Sequence, residues 1–299
     1  MSPDTGGDSF EPQHEIAIVI LTQADRPAQL ARAVRSVRDQ RRVRTQLVLI
    51  ENGVSSPPAD LERPSELADL LIVLRENVGI PAGRNIGAAS TDAGLVMFLD
   101  DDAELLDPGM LASVVARFRA DPRLGAMAIR LVDESGLTQR RHVPRLGARS
   151  AARSGPVTYF VGGACVVRTA AFRQVGGFDA RFFYSMEESD LAWRLLDAGW
   201  SIWYSADLRA FHPRSTPARH LDYARLTARN RLWMAWRSLP VPFTIAYLTT
   251  WTAAAVARGA PARDVLAGYR DGLTALPARR PMRWRTVARM TALGRPPLL

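Results

Sequence analysis

Between Ile16 and Leu21 the chain reads IAIVIL, an unbroken, β-branched apolar run closed by Thr22 and Gln23, which predicts a strand buried on both faces. Pro27 then stands where a first helical turn tolerates proline, and Leu30, Val34 and Val37 recur at helical spacing as far as Gln40. The unit repeats. QLVLI (Gln46 to Ile50), LLIVL (Leu70 to Leu74) and LVMFL (Leu95 to Leu99) are further short apolar strands, separated by loops or by the helical stretch Ala82 to Ser90. This alternation predicts an α/β fold with a mostly parallel sheet flanked by helices on both faces. Ligands of such sheets bind beyond the carboxyl ends of the strands, and the polar clusters Thr22 to Arg26, Glu51 to Gly53, Glu76 to Gly79 and Asp100 to Asp102 all fall at those ends.

Further along, residues 108–119 read as a helix and Gly125 to Val132 as a strand, followed by a loop-rich segment, 133–157, that is a candidate lid. Apolar character resumes from Thr158 to Arg168 around Gly162 and Gly163. A short helix follows over Ala170 to Val175, then an amphipathic helix from Glu187 to Ala198 that stops at Gly199, and a strand, SIWYS, over Ser201 to Ser205. From Arg219 the reading is helical. Ser238 to Ala257 is a stretch of 20 uncharged residues, long enough to span a bilayer. Pro240, Pro242 and the flanking arginines predict instead a helix that lies on a surface or docks.

Composition changes this picture in two places. All 39 basic residues are arginine, and the net charge of +9 is unevenly spread: from Arg209 onward 16 arginines face only Asp222, Asp264 and Asp271, a net of +13. This sets a basic helical extension (216–299), suited to peripheral contact with an acidic membrane surface, after a flexible tail (1–15) and one α/β domain (16–215). The single cysteine, Cys165, excludes an intrachain disulfide and any multi-cysteine metal site, and fits a buried small residue in a reducing compartment. The first 15 residues carry Asp4, Asp8, Glu11 and Glu15 and no apolar core of a secretory signal. The expected location is cytoplasmic, peripheral at the inner face of the cell membrane.

The most informative segment is FLDDDAEL, Phe98 to Leu105, where a buried strand runs into Asp100, Asp101 and Asp102. Adjacent carboxylates repel one another, and a hard divalent cation such as Mn²⁺ or Mg²⁺ is the economical counter-charge. Alternation along an extended segment places Asp100 and Asp102 on one side and Asp101 on the other.

With its neighbours this segment resembles glycosyltransferase family 2, inverting enzymes of the GT-A fold that include rhamnosyltransferases and other cell-envelope enzymes. The D-x-D strand end is one point of similarity. NVGIPAGRNIG (Asn77 to Gly87) resembles the family's N-x-G-x-x-x-x-R-N-x-G segment, VILTQADRPAQL (Val19 to Leu30) its opening strand and loop, and Val161 to Trp200 its acceptor-side block. The likeness spans roughly residues 16 to 215, in the family's order.

The resemblance implies a transfer of sugar from a nucleoside-diphosphate donor to an acceptor hydroxyl with inversion. It implies donor contacts from Thr22, Arg26, Glu51, Asn77, Arg84, Asn85, Asp100 and Asp101, and a divalent metal held by Asp100, Asp102 and His212. The acceptor block carries Glu187, Glu188 and Asp190 at a helix start, where the helix dipole favours carboxylates. Glu188 matches the family's general base, where an aspartate is usual, with Glu187 and Asp190 as alternatives. The acceptor is a glycan, glycolipid or small molecule, and Trp233, Trp236 and Trp251 among C-terminal arginines suit a membrane interface. Two other readings use the same residues: a sugar nucleotidyltransferase, disfavoured by the lack of a basic signature after the first strand, and a catalytically silent binding module. The apolar setting of the tryptophans argues against a specific nucleic-acid partner.

Overall fold

The computed structural model describes residues 13–54, 68–144, 151–214 and 222–297. Each N-terminal apolar run is a strand: β1 (Ile16–Thr22), β2 (Thr45–Asn52), β3 (Leu70–Leu74) and β4 (Leu95–Asp100), with α1 (Pro27–Arg38) after β1 and α2 (Ile80–Ala89) before β4. β1 is parallel to β2 and β4, and β2 to β3, in a register that sets Thr22 opposite Glu51 and Leu21 opposite Asp100. The polar ends of these strands therefore share one edge of the sheet.

There follow β5 (Glu104–Leu105), α3 (Met110–Ala120), β6 (Leu124–Val132), β7 (Gly155–Pro156), β8 (Ala164–Arg168), α4 (Thr169–Gln174), α5 (Glu187–Asp197) and β9 (Ser201–Phe211). The strand order is β3-β2-β1-β4-β8-β6-β9-β5, with β7 beside β9. The α/β class stands, but the parallel half ends at β4, because β8 runs antiparallel to both β4 and β6. Apolar periodicity reports that a strand exists and is silent about its direction. β9 also continues six residues past the Ser205 at which its apolar reading stops. Exposed Asp207 and Arg209 break the pattern, while pairing with β6 and β5 carries the strand on to Phe211.

The period of two along β1 sends Ile16, Ile18 and Ile20 into one apolar layer with Leu30 and Val34 of α1 and Met110 and Phe118 of α3. Val19 enters the opposite layer with residues of α4 and α5. Full burial of one such side chain is worth about 1.5–3 kcal/mol, so the two layers fix the sheet edge firmly. Gly83 and Gly87 serve this packing: a Cβ at either would collide with Leu21 or Val19 of β1.

The C-terminal helices are α6 (Tyr223–Ser238), α7 (Val241–Ala257), α8 (Ala262–Leu273) and α9 (Trp284–Ala292). α6 inserts Trp233, Met234 and Ala235 into the same core as Phe98 and Leu191, and Met282 and Met290 join it. Among the described residues no helix is long and apolar enough to cross a membrane. Of the three tryptophans expected at a membrane interface, Trp233 is buried in this core and Trp236 and Trp251 are half-buried. Trp233 Nε1 donates to the Gly272 carbonyl (2.9 Å), Trp236 Nε1 to that of Pro277 (3.1 Å), and Trp251 lies under the Arg231 guanidinium at 4.2 Å. The centre of the expected lid (145–150), most of the expected tail (1–12) and the boundary at 215/216 lie outside the described residues.

Candidate active site

A cleft of about 760 Å³ opens at the shared strand edge. Asp100 closes β4, and Asp101 and Asp102 form the turn after it. β9 delivers His212 to the same place, where its N–H donates to the Val132 carbonyl (2.9 Å) and its Nδ1 lies 2.9 Å from the Pro213 carbonyl. With Nδ1 engaged there, Nε2 faces the carboxylates, 3.5 Å from Asp100 and 3.5 Å from Asp102. One donor atom from each of the three residues lies within 4.8 Å of the others. Two carboxylate oxygens and an imidazole nitrogen are a donor set that fits Mn²⁺ or Mg²⁺. Gly163 keeps this corner open, since a Cβ there would stand 3.1 Å from the His212 ring and 3.4 Å from Asp100 Oδ2.

Asp101 points the other way, accepting from the Thr22 hydroxyl and from Arg26, each at 2.7 Å, while the second arm of Arg26 reaches Asp102. Burial pushes the Asp101 carboxyl up to about 6 against the pull of Arg26 and Thr22, with the charges of Asp102 and Asp100 adding to the push.

Arg84, on α2, joins the two sides of the cleft. Its Nη2 donates to Asp100 (2.9 Å) and the Gly162 carbonyl (3.2 Å), and its Nη1 donates to Glu188 (3.1 Å) and lies 3.9 Å from Glu187. Burial opposes the guanidinium charge, but Asp100 and Glu188 outweigh it and raise the Arg84 pKa. Burial likewise opposes ionisation of Asp100, yet the His212 hydrogen bond and Arg84 hold its carboxyl well below the usual range.

Glu187 and Glu188 stand in the first turn of α5, after a loop in which Phe183, Ser185 and Met186 have φ of 60°, 73° and 72°. Left-handed backbone at non-glycine residues is held only where the surroundings over-determine it. Fully buried Asn230 of α6 does so, sharing its amide nitrogen among the carbonyls of Phe182 (2.9 Å), Tyr184 (2.8 Å) and Ser185 (2.8 Å). Gly79, at φ +83°, abuts Phe183 so closely that no side chain fits. Glu187 is buried, with Oε2 unpartnered among the described residues. Burial and then the Glu188 charge push its carboxyl up to about 8, against Arg84. Glu188 is more open, and its carboxylate lies on the cleft wall.

Of the residues expected at the site, Thr22, Arg26, Asn77, Arg84, Asp100, Asp101, Asp102, His212, Glu187 and Glu188 all line this one cleft. Three do not, and each has a physical reason. Asn85 spends its amide on the backbone of Phe178, donating to its carbonyl and accepting from its N–H, both at 2.9 Å. Asp190 is wholly buried behind α5, paired with Arg194 (2.7 Å) and Arg237. Glu51 is buried in β2, and it is Asn52 that reaches the wall, bonded to Asn77 (3.0 Å). The structure adds His142, Tyr184 and Tyr223 to the cleft. The His142 ring stands edge-on to His212 at 5.5 Å, and burial, with Arg141 and His212 next, lowers its pKa to about 4. Nothing local in the loop sequence marks these three, because each arrives through tertiary packing.

Comparison with known proteins bears on the same segments. The family described as Glycosyl transferase family 2 matches residues 17–176. A pre-mycofactocin glycosyltransferase of Mycobacterium tuberculosis is 28% identical over 218 residues, 70% of this chain and 45% of the relative. The N-acetylglucosaminyl-diphospho-decaprenol L-rhamnosyltransferase of the same organism is 38% identical over 101 residues, 30% of this chain and 32% of the relative. The chain thus spans less than half the length of these curated relatives. Among solved structures, a mannosyltransferase from Pyrobaculum calidifontis in complex with GDP-Man and Mn²⁺ superimposes with a TM-score of 0.57 at 19% identity, covering 95% of this chain and 85% of that one. GalNAc-T7 with UDP, GalNAc and Mn²⁺ gives 0.61 at 15% identity, covering 89% and 55%. These two likenesses carry the fold, which is GT-A. The family match covers Thr22, Arg26, Asn77, Arg84 and the acidic turn of the cleft, and the chain belongs to glycosyl transferase family 2.

Proposed function

We propose that this chain transfers a sugar from a nucleoside-diphosphate donor to an acceptor hydroxyl in a single displacement that inverts the anomeric centre. The observation that carries the reading is the Arg84 fork, which ties Asp100 of the Asp100–Asp102–His212 group to Glu188 across one cleft. Glu188 removes the proton from the acceptor oxygen. That oxygen forms the new bond to the anomeric carbon, the bond to the diphosphate oxygen breaks, and its electron pair leaves with the nucleoside diphosphate. Asp100, Asp102 and His212 would hold a divalent cation, Mn²⁺ or Mg²⁺, whose positive charge would stabilise the departing diphosphate. Arg26 and Asn77 line the donor side, and Arg84 orients Glu188. Holding donor and acceptor in one cleft supplies a large share of the rate advantage.

The acceptor we favour is a lipid-linked or cell-envelope glycan, met at the cytoplasmic face of the membrane. The support is a relative named for a decaprenol-linked substrate and the basic C-terminal helices.

The test is a donor screen: intact protein, Mn²⁺ or Mg²⁺, a panel of UDP-, GDP- and dTDP-sugars with envelope-lipid extract, and detection of released nucleoside diphosphate. Metal-dependent release from one donor is expected, lost in Asp102→Ala and reduced about 10²- to 10⁴-fold in Glu188→Gln. His212→Ala should weaken Mn²⁺ binding followed by electron paramagnetic resonance. Mn²⁺ binding without release from any donor would leave the silent-module reading in its place.

A further inference from the structure

A second cleft, of about 470 Å³, lies on the far side of α5, where the C-terminal helices meet the catalytic domain. Five guanidinium groups line it: Arg181, Arg194, Arg237, Arg280 and Arg283. Asp179, Asp190 and Asp197 pair with four of them. Five cations against three carboxylates leave a net charge of +2. The side chain of Arg280 is exposed and makes no ion pair among the described residues. Such a recess suits a phosphate, whose oxygens match the guanidinium fork.

The rim is apolar. Trp284 follows Arg283 in sequence, is 64% exposed, and packs its ring against Phe243 of α7 at 5.6 Å. The 17 residues of α7 include no charge. An exposed tryptophan packed on an uncharged helix beside a cationic recess marks a surface that meets something amphipathic. An anionic phospholipid bilayer offers both parts, phosphate headgroups above an apolar boundary where tryptophan is favoured.

We propose that this cleft and the exposed Trp284 at its edge form a docking site for an anionic phospholipid bilayer, with a headgroup phosphate held by Arg280 and Arg283. The inference deepens the proposed membrane contact, and rests on that reading, by assigning it a defined surface. The site is separate from the active cleft. Tyr223 begins α6 at the active cleft and Arg237, one residue before its end, lies at the second one, about 21 Å along the helix axis at 1.5 Å per residue.

The experiment is co-sedimentation of the intact chain with phosphatidylcholine vesicles, without and with added phosphatidylglycerol, at physiological ionic strength. Binding is expected only to the anionic vesicles. Arg280→Gln combined with Arg283→Gln should weaken it about 10- to 30-fold, the effect of losing two basic contacts at an anionic surface. Trp284→Ala should weaken it too, and Arg280→Gln alone, which removes no described ion pair, guards against a folding defect. Arg35→Gln with Arg41→Gln removes two exposed charges from α1 and the loop after it, and should stay within about twofold of wild type if the effect is local. An equal loss in this distal pair would overturn the cleft as the site while leaving membrane contact standing. No binding to either vesicle would overturn both. Saturable binding of inorganic phosphate, lost in the cleft variants while vesicles are ignored, would make this a free-anion site and overturn the bilayer.

Discussion

A Cβ on Gly162 would overlap the Glu188 carboxylate and stand 2.6 Å and 2.8 Å from the two terminal nitrogens of Arg84. Gly162→Ala therefore displaces the proposed base and presses on the Arg84 fork that holds it. Displacement of about 1 Å at a reacting group can lower turnover about 10²-fold. That loss, measured as turnover at saturating Mn²⁺, is the expected outcome. Full activity in the alanine variant would mean that Glu188 does not work from this position.

Arg84 is the buried cation among Asp100, Glu188 and Glu187. Removing one partner of a buried ion pair leaves uncompensated charge and typically destabilises by about 3–5 kcal/mol. Arg84→Met should show a loss of that order in urea unfolding. Arg84→Lys should recover part of it, since one ammonium cannot reproduce the fork that reaches both carboxylates. A methionine variant as stable as wild type would show that the cluster is not held by this charge.

How much of this was legible beforehand follows from range. β1 to β4, α2 and the acidic turn announce themselves in runs of a few residues, and ten of the expected site residues do share a cleft. Asn85 and Asp190 sit inside motif segments yet serve packing, because a motif marks a place in the chain and not the direction of each side chain. Asn230 and His142 carry no local signature. The first acts through carbonyls some 45 residues away in sequence, and the second through a ring contact with His212. The direction of β8 and the full length of β9 depend on neighbouring strands that apolar spacing does not reveal.

Asn230→Ala removes the donor shared by three carbonyls of the loop that leads into Glu187. Leaving buried carbonyls unsatisfied costs about 1–3 kcal/mol, and the left-handed residues of that loop lose their restraint. The expected result is a lower unfolding midpoint, together with faster amide hydrogen exchange confined to residues 183–187. Uniform exchange across the domain would count against a local role.

Glu187 gives a pH signature. Its carboxyl is raised from an ordinary 4.5 to about 8 in the folded chain, so the folded state holds a proton that the unfolded state releases. Its contribution to stability is full below pH 4.5 and is lost as pH rises to about 8. Glu187→Gln cannot ionise. Measured by urea unfolding at the two ends of that window, the variant should gain on wild type as the pH rises. A constant difference between them would mean that Glu187 ionises normally in the fold.

The reversed direction of β8 has a consequence for how such a chain can change over time. Because β8 runs back along β4, the glycines that precede it arrive beside Asp100, and one backbone hydrogen bond, from Asp100 N–H to the Gly163 carbonyl at 3.1 Å, joins two stretches of chain about sixty residues apart. One stretch carries the acidic turn and the other leads into Glu187 and Glu188. That bond closes a ladder of five residue pairs between β4 and β8, and Arg84 spans the same gap, so neither stretch can drift without carrying the other with it.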